Sequence, residues 1–114
     1  MSQQRIDIGT LVRRIIEKTE NDECKWTTTS TNNRYQLSLP NGSIVIEFNG
    51  SNSWGEEYYI LEVCDSSGVT FATFLGDNGN NDNYNLFQHL YKSIGDYFVR
   101  IQEEKFAKLF EDLK

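Results

Sequence analysis

The residues able to do chemistry are few, and their spacing does not gather them. His89 is the only histidine, and Cys24 and Cys64 are the only cysteines. A general acid–base histidine needs a second group to orient it and a reacting group within hydrogen-bond reach. The sequence around His89 offers neither, so His89 reads as a structural or solvent-facing helix residue. One histidine and two distant cysteines are too few for a tetrahedral zinc site, and there is no C-x-x-C pair. The carboxylates Glu56, Glu57 and Asp65 fall near loop ends. Adjacent residues on a strand point to opposite faces, so Glu56 and Glu57 would not converge on one substrate. Asp77, Asn81 and Asp82 resemble a calcium loop in composition only. Counting from Asp77 puts Gly79 where a ligand is needed and Asp82 where the loop needs glycine. No phosphate-cradling glycine loop and no G-x-S-x-G elbow occurs. These patterns predict no catalytic residue, no metal and no cofactor.

Composition narrows the class further. The chain has 114 residues, a length suited to one domain, with 38% apolar and 25% charged residues. A net charge of −6 with scattered Lys and Arg argues against nucleic acid as a partner. No apolar run approaches the ~20 residues of a membrane-spanning helix, and Met1–Asp7 lacks the apolar stretch of a secretory signal. The expected location is cytoplasmic, with two reduced thiols.

The elements that must position any site are clearer. Ile8, Leu11, Val12, Ile15, Ile16 and Thr19 recur at helical spacing and predict a first helix over about 8–19, capped by Asp7 or Thr10. A Thr-rich edge strand follows over about 25–31, then a turn at Asn32-Asn33. Arg34–Leu39 and Ser43–Phe48 alternate apolar with polar residues on either side of Pro40-Asn41-Gly42. That pattern predicts a hairpin with Tyr35, Leu37, Leu39, Ile44, Ile46 and Phe48 facing inward, and with positive φ at Asn41 and Gly42. Residues 49–56 form a loop, 58–64 a fourth strand and 69–75 a fifth whose buried face the alternation leaves open. Residues 76–83 are Gly/Asn-rich and read as a mobile loop.

From about Tyr84 onward the pattern is helical. Phe87, Leu90, Tyr91, Ile94, Tyr97, Phe98 and Ile101 share one face. Phe106, Leu109, Phe110 and Leu113 share another, rotated by roughly 100–120°. An unbroken helix of ~30 residues reaches ~45 Å, longer than a sheet whose strands span ~20 Å. Either the helix breaks near Gln102–Lys105 or its end packs on something else.

The expected fold is therefore α+β: an N-terminal helix, a five-stranded antiparallel meander and a long C-terminal helix, with both helices on one face. The succession Trp26…Tyr35-x-Leu37-x-Leu39-x-x-Gly42-Ser43-Ile44-x-Ile46…Tyr58-Tyr59…Asp65-x-x-Gly68…Leu90-Tyr91 resembles small, uncharacterised bacterial proteins of helix–sheet–helix layout. The resemblance implies a bacterial or mobile-element origin and carries over no activity and no site.

Two features point to partners. Trp54, inside Ser51–Gly55, either folds back over the sheet edge or is displayed as an anchor. Residues 105–114 form a helical extension whose apolar stripe of Phe106, Leu109, Phe110 and Leu113 calls for a second copy, a partner or a fold-back. The expected function is a non-enzymatic protein-interaction module acting on itself or another protein. The alternatives are an acidic, immunity-type inhibitor of a basic toxin, and a small-ligand binder or enzyme with a pocket between sheet and helices.

Overall fold

Apolar residues at helical spacing along both ends of the chain, and at period two between them, resolve into helix α1 (Ile8–Glu20), strands β1 (Trp26–Thr28), β2 (Arg34–Leu39), β3 (Gly42–Asn49), β4 (Tyr58–Asp65) and β5 (Thr70–Asp77), and helix α2 (Asp82–Asp112). The structure is a computed structural model and describes residues 7–50, 57–77 and 82–114. The strands follow one another in the order β1-β2-β3-β4-β5, each antiparallel to its neighbour. This is the expected meander.

Asp7 opens α1. Its carboxylate accepts hydrogen bonds from the Gly9 amide at 3.0 Å and the Thr10 hydroxyl at 2.8 Å. These bonds, the Thr10 contact foremost, hold the Asp7 carboxyl below the usual range. At the other end Asn21 caps the helix and Asp22 turns the chain with φ 59°.

The register puts Trp26, Leu37, Ile44 and Val63 in one row, and Tyr35, Ile46, Leu61 and Phe74 in the next. On this face Val12, Ile15 and Ile16 of α1 and Phe87, Leu90, Ile94 and Tyr97 of α2 complete one apolar core. Trp26 is anchored there by polar bonds. Its indole N–H donates to Thr19 Oγ1 at 2.9 Å, and that hydroxyl donates to the Ile15 carbonyl at 2.7 Å. Among the described residues no helix lies on the opposite face of the sheet. Arg34 spans it, reaching Glu47 at 3.3 Å and Glu62 at 3.4 Å, in a row of half-buried charges that helps cover Val45.

Several expectations need correction. The β2–β3 turn is centred on Pro40-Asn41, because Leu39 pairs with Gly42, and Asn41 does not adopt positive φ. Proline fixes the φ that the first central turn position requires, so it sets the turn one residue earlier than Asn-Gly would. Gly42 is needed for space: a Cβ there would collide with the Cys64 carbonyl of β4. The first strand is three residues long, not seven. Gly76 and Asp77 belong to β5, and α2 already begins at Asp82, so only residues 78–81 of the expected loop lie outside the described residues. The ambiguous face of β5 has a cause in the register. Cys64 pairs with Thr70 and Val63 with Ala72, which leaves Phe71 as an extra residue in a bulge. Ala72 and Phe74 turn toward the helices, while Phe71 is 63% exposed.

The alternative left open for the C-terminal helix is resolved in α2. It runs 31 residues without a break at Gln102–Lys105. Ile101 is its last residue packed on the core, and everything from Gln102 onward is exposed. A compact chain of this length would have a radius of gyration of about 13 Å. The observed value is 16.3 Å, with a longest extent of 62 Å.

Candidate functional site

His89 lies on the exposed side of α2, where its Nε2 is 3.8 Å from Glu20 Oε2 at the end of α1. Sequence separation hid this pairing, and no local signal predicts it. Both side chains are more than half exposed. His89 also borders an open groove of about 650 Å³ lined by Tyr59, Asn85, Gln88, Tyr91 and Lys92. Among the described residues, the imidazole at its rim has the Glu20 carboxylate beside it. Burial pushes the Tyr59 hydroxyl upward, and burial likewise pushes Tyr91 to about 12, so both remain neutral phenols near pH 7.

The tyrosines are structural. Tyr35, Phe48, Tyr59, Tyr84, Tyr91 and Phe98 form a continuous aromatic layer between β2–β4 and α2, with ring centroids 4.8–5.8 Å apart. Such tilted contacts add about 0.5–1.5 kcal/mol each beyond burial. At its edge Tyr84 donates to Glu57 Oε2 at 2.8 Å, a bond to a carboxylate that raises the Tyr84 phenol to about 12. Tyr91 donates to Asn33 Oδ1 at 3.3 Å.

The remaining sequence candidates disperse. Glu57 is engaged by Tyr84, and Asp65 holds the β4–β5 turn by accepting from the Ser67 and Val69 amides at 2.9 and 3.0 Å. Glu56 and Trp54 lie outside the described residues. Cys24 sits in the core beside α1, where burial raises its thiol. Cys64 contacts Thr70 at 3.4 Å, and both cysteines are free and buried. Among the described residues no group of three or more His, Cys, Asp or Glu could hold a metal, and no helix is long and apolar enough to cross a membrane.

What the fold does assemble is an apolar surface. Phe106, Leu109, Phe110 and Leu113 are 51%, 58%, 68% and 81% exposed along the projecting end of α2. No part of the described chain folds back over them. At the tip of this segment Glu111 pairs with Lys114 at 3.3 Å. One residue of this stripe was missed in the sequence: Val99, 51% exposed, lies seven residues before Phe106, about two turns, and so extends the same stripe onto the domain. A second apolar patch sits at the turn end of the sheet, where Leu11, Leu39, Pro40, Val63 and Phe71 border a shallow cleft of about 410 Å³.

No protein-family model matches this chain, and searches of curated proteins and of solved structures give no match.

Proposed function

We propose that this chain is a non-enzymatic protein-interaction module that docks through the projecting end of α2. One observation carries the reading: a helix anchored in the core through Ile101 extends past it and displays Phe106, Leu109, Phe110 and Leu113 to solvent. Each large apolar side chain left in water forgoes roughly 1.5–3 kcal/mol of burial, so a stripe of four is unfavourable unless something covers it. Patches of this kind, rimmed by charges, mark interaction sites. The free thiols of Cys24 and Cys64 suit a reducing compartment, the cytoplasm.

The test is recovery of partners from the native host, with the intact chain and the Phe106→Glu/Phe110→Glu variant as paired baits, alongside light scattering of each. The intact chain is expected to self-associate or retain a protein that the variant loses. Identical behaviour of the two baits, with no association by either, would refute the reading. A basic toxin among the retained proteins would identify the module as an inhibitor of that toxin.

A further inference from the structure

The exposed stripe of α2 has a finer periodicity than a simple apolar face. Val99, Gln102, Phe106, Leu109 and Leu113 are separated by three, four, three and four residues, the spacing of alternating a and d positions in a coiled-coil seam. Phe110 lies beside the seam at an e position. Lys105 and Asp112 occupy successive g positions on its other flank. Neither has an ion-pair partner in its own chain among the described residues, although Lys114 and Glu111 beside them do.

From this arrangement we infer that the occupant of the stripe is a second copy of this chain, packed antiparallel about a two-fold axis near residues 107–108. The inference rests on the interaction reading above and names its partner. In that register Phe106 of each copy packs on Leu109 of the other, and Gln102 sits opposite Leu113 at both ends of the seam. The g positions then face each other, so Lys105 of each copy meets Asp112 of the second copy. Sliding the helices by one heptad toward the domains would instead put Lys105 against Lys105. A parallel pair would set Lys105 against Phe110 and leave both charges unmatched. The charge pattern thus selects both direction and register.

Two further observations favour self-pairing over a foreign partner. The segment 102–114 carries three lysines (105, 108, 114) against four carboxylates (103, 104, 111, 112), whereas the whole chain is at −6. The acidity that would attract a basic protein therefore lies elsewhere, and this near-balanced surface complements itself. The exposed parts of Phe106, Leu109, Phe110 and Leu113 amount to roughly 500 Å² per copy, a patch large enough to mark an interaction site. Two copies together reach about 1,000 Å², the lower bound for a specific interface. A reversible dimer is expected, not an obligate one.

Sedimentation velocity of the full chain over a wide concentration range, at low salt, tests this. The wild type should dimerise reversibly, and Phe106→Glu/Phe110→Glu should remain monomeric with an unchanged circular dichroism spectrum. Lys105→Glu sets two acids against each other and Asp112→Lys two bases, so each alone should weaken the dimer by about tenfold. An equimolar mixture of these two variants should restore dimerisation as a heterodimer, because both cross-pairs are then complementary. Weakening by each variant alone, followed by restoration on mixing, is the combination that neither a parallel pair nor the one-heptad slide produces. In the slide the 105 positions already meet as like charges, so neither single substitution weakens the dimer. A wild type that stays monomeric at the highest concentration, or a dimer indifferent to all three substitutions, would overturn the inference. If the wild type is monomeric yet captures a different protein that Phe106→Glu/Phe110→Glu loses, self-pairing falls while the interaction reading stands.

Discussion

Thr19 shows how much one buried hydroxyl can do at the scale of a residue. It accepts from the Trp26 indole and donates to Ile15, tying β1 to α1 inside the core. Thr19→Val preserves shape but leaves the indole N–H without a partner, and should cost about 1–3 kcal/mol in urea unfolding. Adding Trp26→Phe to that variant removes the orphaned donor, so the pair should be less than additive. Gly42 tests the corrected turn. Gly42→Val drives a side chain into the β4 backbone and should cost about 1–3 kcal/mol, whereas Asn41→Ala in the exposed turn should stay within about 0.5 kcal/mol. The tyrosines give a pH signature. Tyr84 and Tyr91 are both raised to about 12, so the folded state favours their neutral forms. Their contribution is fully present below pH 10, the ordinary phenol value, and is lost as pH rises from 10 through about 12. In a phenolate absorbance titration three of the six tyrosines, Tyr59, Tyr84 and Tyr91, should therefore ionise late, and Tyr84→Phe should remove one of them.

Helix α2 is two elements in one at the next scale. Its first five turns bury Phe87, Leu90, Ile94 and Tyr97, while every residue of its last three turns is exposed and none packs on the core. Ile94→Ala should cost about 2–5 kcal/mol. Phe106→Glu/Phe110→Glu should leave the stability of the isolated chain within about 0.5 kcal/mol, measured by urea unfolding at a concentration where it is monomeric. A large loss there would mean that the distal helix contributes to its own fold. Between the helices, Arg100 donates to Asp22 Oδ1 at 2.9 and 3.0 Å and to the Thr19 carbonyl at 3.0 Å, satisfying a terminal carbonyl of α1. That contact links the buried half of α2 to the end of α1 and fixes the direction in which the exposed half leaves.

The whole molecule is a two-layer sandwich with unequal faces. One side of the sheet is sealed by helices, and the other is finished with the Arg34–Glu47–Glu62 row and polar side chains. Among the described residues, most of the exposed large apolar side chains gather at two places, the end of α2 and the turn end of the sheet around Leu39, Val69 and Phe71, with Leu75 of β5 outside both. The function proposed above rests on these exposed side chains.

The alternation of β2, β3 and β4 and the helical spacing of Ile8–Thr19 and Phe87–Ile101 determine the fold class by themselves, because period two and period 3.6 each allow one way to bury a face. The second stripe, Phe106–Leu113, was equally legible, since a rotated apolar face announces a second surface to cover. Tertiary structure alone decided the rest. The Pro40-Asn41 turn and the Phe71 bulge depend on how neighbouring strands meet, and period-two alternation is blind to one inserted residue. Whether α2 breaks or continues is also a tertiary matter. The segment Gln102–Lys105 has good helix-forming residues throughout, so only the extent of the sheet beneath decides where packing stops. The His89–Glu20 contact, 69 positions apart in the chain, exists because α1 and α2 lie side by side on that sheet.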